Sequence, residues 1–515
     1  MFHDVARKRV GRLSADESQR LSEENVSSKS DTSFRHTHIA VLGTGFSGLG
    51  MAIRLKQGGY DDFVVIEKAT DIGGTWRDNT YPGCACDIPS QLYSFSFAPN
   101  PNWSHMYPSQ PEIRDYLRHC ADRFEILPHI LWNNAVTDAS WHDNDQRWHI
   151  TTSQQKLTAD IFICGNGPLN EPSFPVLAGI ERFKGTMFHS SRWSHDCDLR
   201  GKRVGVIGTG ASSIQFVPRI QPLVSQLFLF QRTPAWIVPR LDRQIEASEQ
   251  ARFRLFPILQ RFKRLKIYLR NEVVALGLIY RPTMMKTWIK FAQTHLERQV
   301  PDPILRAKLT PNYAMGCKRI LVSNDFYPAL SHPNINVITE HIREVSAHSI
   351  VMADGQEHEI DVLICGTGFH VTDTQLPGYI HGRDGQTLGD IWQAHPSAYL
   401  GTTVTGFPNL FLMIGPNTGL GHNSMVYMIE SQIAYILNAL HFMERRKLQA
   451  VEVRQEAQSA FREEMQRRMR GTAWTSGCSS WYLDSRGHNT TLWPGFTFEY
   501  RHRTRYFDAS SYILA

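Results

Sequence analysis

Four times along this chain a short apolar run ends on a glycine pair, and the spacing of these runs predicts most of the architecture. Residues 37–50, THIAVLGTGFSGLG, pass from an apolar strand through a glycine turn into a helix start. That is the context in which G-x-G-x-x-G signals a dinucleotide. Residues 202–215, KRVGVIGTGASSIQ, repeat it. Gly43, Gly45 and Gly48 hold the three key places of the first loop, and Gly208, Gly210 and Ser213, with Thr209 between, those of the second. The first and last positions serve a tight turn and close helix–strand packing, and the middle one lets the backbone approach a pyrophosphate at a helix N-terminus. ADIFICGNG (159–167) and IDVLICGTG (360–368) read as the returning strands that close each unit. Between the halves of the second unit, residues 244–310 carry helical spacing and little glycine.

The pattern predicts an α/β chain with two Rossmann-like dinucleotide-binding domains, one enclosed by the other, and a helical insertion. Its expected divisions are a flexible, Ser-rich and charged tail over 1–35; a first nucleotide domain in two parts, 36–175 and 371–515; and a second over 176–370, with the insert at about 244–310. The ends of the second strands tell the two sites apart. DDFVVIEK ends on Glu67, twenty-four residues after Gly43, where an acid binds a ribose hydroxyl. QLFLFQRT places Arg232 at the same offset from Gly208. An arginine there suits a ribose 2′-phosphate, so the expectation is FAD in the first site and NADPH in the second.

Composition narrows the partners. With 515 residues and 42% apolar content the chain has ample material for several cores. Its net charge of +6 is mild, and the spread of Lys and Arg gives no nucleic-acid stripe. A small or apolar substrate is expected. Eight scattered cysteines predict reduced thiols and a cytoplasmic setting rather than a disulfide framework. No apolar run reaches the roughly 18 residues of a membrane span; VVALGLIY (273–280) is flanked by Arg270, Glu272 and Arg281.

FKGTMFHSSRWSHDC (183–197) obeys neither helix nor strand period. His189, His195 and Cys197 lack a fourth ligand at a zinc spacing, so no metal is expected. The segment falls between GNG (165–167) and Gly208, which suggests a crossing between domains. Cys84-Ala85-Cys86 lacks redox-dithiol spacing and reads as two packed cysteines.

Phe183, Gly185, His189 and Trp193 fill a pattern FxGxxxHxxxW that resembles the fingerprint of type I Baeyer–Villiger monooxygenases, with Ser194 where that fingerprint usually has Pro or Asp. GGTWRDNTYPGCACD (73–87), FQRTPAW (230–236), GCKRILVSNDFY (316–327), ICGTGF (364–369), IGPNTGLGHNS (414–424) and the tail 479–501 resemble the same family in the same order; the tail is most similar to the 4-hydroxyacetophenone monooxygenase subgroup. The resemblance implies an enzyme that uses NADPH and dioxygen to insert oxygen beside a ketone carbonyl, giving an ester or lactone by way of a flavin peroxide and a tetrahedral adduct. It implies FAD contacts at Thr75, Trp76, Asp87, Tyr93 and the backbone of Val136 and Met425. Arg232, Thr233 and Lys318 would hold the NADPH 2′-phosphate, and Trp481 would close over that cofactor. Arg319 would be the catalytic arginine, oriented by Asp87. A permanently charged, planar guanidinium suits a site where negative charge develops on oxygen. The alternatives are an N- or S-oxygenating flavin monooxygenase and a non-oxygenating NADPH-dependent flavoprotein. For the insert, Phe253, Phe256, Leu259 and Phe262 at helical intervals predict a helix that shapes the substrate cleft; a basic amphipathic surface touching lipid is the second reading.

Overall fold

The computed structural model of the chain describes residues 34–371, 376–393, 395–478, 480–484 and 486–515. The expected tail lies outside them up to residue 33. Two sheets carry the two nucleotide units. In the first, Arg35–Leu42 pairs in parallel with Phe63–Ile66 on one side and Lys156–Cys164 on the other. Ile130–Leu131 extends it beyond Phe63–Ile66, and Leu410–Leu412 joins from the far end of the chain onto Lys156–Cys164. An antiparallel arm, Val136–His142 with Arg147–Thr152, completes the eight-stranded sheet together with Ile380–His381. All four residues of Phe63–Ile66 are buried, as a parallel strand covered on both faces requires. The antiparallel arm, by contrast, alternates buried and part-exposed positions.

The second sheet is wholly parallel, in the order Ile335–Ile338, Gln226–Phe230, Arg203–Ile207, Val362–Cys365, Thr186–His189. The chain passes twice between the units, and the two passages lie side by side: Glu171–Pro172 pairs antiparallel with Phe369–His370. This ribbon, not the 183–197 segment, is the crossing. Thr186–His189 is the edge strand of the second sheet, in register with Val362–Cys365, because its last two residues are buried against that neighbour. His189 still bears on the crossing, since its ring packs edge-on to Phe174 at 5.5 Å and Phe369 at 5.8 Å, beside both passages. Gly185 sits where a Cβ would lie 2.4 Å from Asp361 O, and Phe183 packs on the same small core. Trp193 packs edge-on to Phe188 at 5.1 Å and tilted against Phe216 at 5.2 Å.

The insert is helical, as expected, but the single run predicted through Phe253 to Phe262 breaks at Phe256 (φ −129°, ψ 76°). Pro257 then opens a new helix, its missing N–H costing nothing at the first position. Ala247–Leu255, Pro257–Ala275, Met285–Gln299 and Pro303–Leu309 make up the insert. Phe253 is buried while Phe256, Leu259 and Phe262 are exposed, so the four do not line one cleft wall. Among the described residues no helix is long and apolar enough to cross a membrane.

Candidate active site

The two glycine loops superpose in logic residue by residue. Gly43 takes φ +92°, and a Cβ there would meet Gly165 O at 3.0 Å. Gly48, two residues into the helix Phe46–Gln57, comes so close to the turn that a Cβ would lie 1.9 Å from Gly43 O. In the second unit Gly208 takes φ +107°, and a Cβ there would lie 2.4 Å from Gly366 O. Ser213 opens the helix Ser213–Ile220, and its Oγ lies 2.2 Å from where Gly366 would carry a Cβ. A Cβ on Gly45 or Gly210 meets no atom closer than 3.9 Å. These two glycines relieve no clash within the chain; they leave backbone N–H groups at each helix start uncovered, as an approaching pyrophosphate requires.

Glu67 follows its strand and is buried. Its carboxylate accepts from Thr44 N (3.0 Å), Thr44 Oγ1 (2.6 Å), Ala69 N (2.9 Å) and Arg77 Nη1 (2.9 Å). Arg77, which the motif reading passed over, ties the acid to the GGTW loop. Asn134, two residues before Val136, donates from its backbone to Glu67 O. Thr75 and Trp76 open the short helix that starts beside Gly45, and Thr75 Oγ1 donates to Leu169 O at 3.3 Å. The Trp76 indole donates to Tyr93 Oη at 3.0 Å. Met425 begins the helix Met425–Arg446, whose capping Ser424 donates to Leu92 O, next to Tyr93. Trp76, Tyr93 and the start of the Met425 helix are thus joined through neighbouring contacts, with Thr75 beside Gly45.

Asp87 and Arg319 meet at the seam of the two units. Asp87 Oδ2 accepts from Arg319 Nε at 2.8 Å and Nη2 at 2.6 Å. Both ends are held. Gln215, on the helix of the second glycine loop, grips Ala85 N and O and Tyr81 Oη, and Cys86 N donates to Pro108 O. On the other side Leu321 N, in GCKRILV, donates to Trp236 O at the end of FQRTPAW, and the next two residues, Ile237–Val238, run parallel to Leu321–Val322. The Asp87 charge holds the guanidinium firmly protonated against its burial. Cys84 and Cys86 are buried free thiols, and burial raises both well above the usual thiol range.

Lys318, next to Arg319, has its ammonium 5.2 Å over the Tyr313 ring. Burial, and then the positive charge of Arg232, hold its pKa below the usual lysine range. Neither Lys318 nor Arg232 has an acidic ion-pair partner among the described residues, while Thr209 Oγ1 donates to Thr233 O at 3.0 Å. Two cations brought together without an anion fit a ribose 2′-phosphate.

One expectation fails outright at this site. Cys317, adjoining Lys318, is disulfide-bonded to Cys478 across 161 residues, so not all eight cysteines are free. The bond ties the arginine loop to the C-terminal loop that carries Trp481 and Tyr482. Trp481 is 45% exposed and packs on Tyr482 at 4.4 Å. Tyr482 is the residue the motif reading missed. It is buried beside Arg319 and Asp87, and burial pushes its hydroxyl up to about 12 despite the pull of Arg319.

His189, His195 and Cys197 do not form a ligand set. His189 Nδ1 accepts from Ser191 N at 3.1 Å and His195 Nε2 pairs with Thr80 Oγ1 at 2.8 Å. Elsewhere His395, Asp484 and His488 bring ligand atoms within 4.8 Å of one another, but Arg462, Arg467, Arg470 and Arg486 line the same pocket and oppose a dication.

Comparison with known proteins agrees with this geometry. The family described as flavin-binding monooxygenase-like matches residues 36–377. A Baeyer–Villiger monooxygenase of Pseudomonas aeruginosa is 52% identical over 483 residues, 93% of this chain and 92% of that protein. One from Streptomyces coelicolor is 47% identical over 481 residues, with the same coverage of 93% and 92%. The crystal structure of OTEMO in complex with FAD and NADP superposes with a TM-score of 0.84 at 27% identity, covering 93% of this chain and 99% of that one. Two nucleotide units, a cation pair without an acidic partner among the described residues and a half-buried arginine at their seam therefore have one family explanation: this chain belongs to the flavin-binding monooxygenase-like family and, within it, to the FAD- and NADPH-dependent Baeyer–Villiger monooxygenases.

Proposed function

We propose that Arg319, fixed by Asp87, is the group that makes this enzyme a ketone oxygenase, and that a small ketone and dioxygen are its substrates. The carrying observation is the two-point contact of Asp87 on Arg319, at 2.6 and 2.8 Å, at the junction of the two nucleotide units. When bound, NADPH supplies the hydride and the reduced flavin the activation of dioxygen. The chain's own residues do the rest. The two glycine loops and Glu67 would hold FAD, with Trp76 and Tyr93 beside it; Arg232, Thr233 and Lys318 would hold the 2′-phosphate of NADPH.

Arg319 presents a charge that pH does not remove, so it can stand against negative oxygen at each stage where such charge develops. A lysine there would risk neutralisation, and its neutral amine could add to the ketone carbonyl and lose water to form an imine. Asp87 orients the guanidinium and keeps it from turning away, as a buried carboxylate orients a catalytic base. Tyr482 stays protonated through neutral pH, because burial carries its pKa to about 12, and offers a hydroxyl donor beside the same guanidinium. Trp481, on the disulfide-tethered loop, would close over NADPH and limit water.

A panel of ketones, amines and sulfides, read by NADPH consumption and product mass under isotopically labelled dioxygen, tests this reading. The expected product is an ester or lactone heavier than its ketone by one labelled oxygen. Oxidation of amines or sulfides with no ketone converted would overturn it.

A further inference from the structure

The insert helix Pro257–Ala275 is turned the wrong way for an ordinary surface helix. Its polar Gln260, Asn271 and Glu272 face the protein and are 5, 8 and 5% exposed. Arg264, on the same inward side, donates to the carbonyls of Gln91, Leu92 and Ser94. Ile258, Phe262, Leu265, Leu269 and Val273 follow one another at three- and four-residue steps, which puts them on one face. That face points outward, with exposures of 53, 62, 49, 53 and 59%. On the next long helix, Met285–Gln299, Trp288 and Phe291 are likewise exposed at 39 and 46%.

The orientation is locked. Glu272 accepts from Asn423 Nδ2 (2.6 Å), Thr497 Oγ1 (2.6 Å) and Thr497 N (3.0 Å), and lies 3.6 Å from His422 Nε2. The helix cannot roll its leucines inward without breaking that buried cluster. A contiguous apolar strip of this kind marks an interaction surface.

Charge chooses the partner. Residues 250–299 contain eleven Lys and Arg against two acids, one of them the buried Glu272, whereas the whole chain nets only +6. Arg261, Lys266 and Arg270 flank the strip and are exposed. A two-fold contact with a second copy would set this basic face against itself. An outward face of Leu, Ile, Phe and Trp rimmed by Lys and Arg matches the acyl boundary and phosphates of an anionic bilayer.

We infer that the insert docks this enzyme on an anionic membrane surface, the Pro257–Ala275 helix lying in the plane of the headgroups. An apolar ketone dissolved in that membrane would then reach the enzyme without crossing bulk water. The test uses the FAD-loaded full chain without turnover, so that it stands or falls independently of the ketone chemistry. Sedimentation with vesicles of equal parts phosphatidylcholine and phosphatidylglycerol is expected to carry the protein down at least about tenfold more tightly than vesicles of phosphatidylcholine alone, and less at high salt. The exposed-site variants Phe262→Ser and Leu269→Ser are expected to lose about tenfold or more of that binding with flavin content unchanged. Failure to sediment with the anionic vesicles at low salt would overturn the proposal. So would sedimentation velocity showing a dimer, in the absence of lipid, that the same substitutions dissolve, because the strip would then belong to a second copy.

Discussion

The two nucleotide units share a strand, a glycine turn and a returning strand, yet they differ at two positions, and each difference has a separate physical meaning. Where helix meets turn, the first unit has Gly48 pressed against Gly43 O, and the second has Ser213, whose side chain occupies space left by Gly366. Where the second strand ends, the first has the buried acid Glu67 and the second the exposed cation Arg232. The former difference concerns how closely the chain packs on itself; the latter concerns what it binds.

Exchanging residues between the units tests that separation. Gly48→Ser, which writes the second unit's residue into the first, should abolish folded, flavin-containing enzyme, because Cβ would lie 1.9 Å from a backbone oxygen and the strain exceeds about 4 kcal/mol. Flavin absorbance of the purified variant reads this. At the seam between the units, burial pushes the His189 imidazole down to about 4. The folded chain therefore refuses a proton that the unfolded chain accepts near pH 6.5, so stability is complete above that pH and falls as pH drops toward 4. The loss should reach about 3 kcal/mol, and His189→Gln should flatten the melting temperature across that window. His189→Ala should also slow coupling of NADPH oxidation to product more than it weakens FAD binding; flavin loss with the fold intact would remove its place at the seam.

Arg232→Ala should raise KM for NADPH by about ten- to a hundredfold, from loss of a charge-assisted contact, and leave NADH kinetics and flavin content unmoved. The smallest effect belongs to the reverse exchange. Ser213→Gly should cost about 1 kcal/mol or less in chemical denaturation, because it removes a side chain that packs rather than one that clashes.

The comparison also shows what was legible in the chain. Both glycine loops, their returning strands, and the acid and arginine that tell them apart are local patterns with local causes. The facing of Asp87 and Arg319 was readable through family motifs, since no local rule brings together residues so far apart in the sequence. Three features were hidden. The Cys317–Cys478 bond and the burial of Tyr482 depend on long-range chain paths that spacing does not encode. The outward turn of the Pro257–Ala275 helix was hidden for another reason. Periodicity shows that an apolar face exists but not which way it looks, and here the buried cluster around Glu272 decides it. The 183–197 segment looked irregular because its strand is only four residues long, too short to show a period.

The account rests on Arg319, and the most direct measurement is the fate of oxygen in Arg319→Ala. The variant should retain FAD and continue to oxidise NADPH, release hydrogen peroxide, and form ester at a rate lower by about a hundred- to a thousandfold. A normal ester yield from that variant, with flavin bound and NADPH consumed as in the parent, would contradict the account.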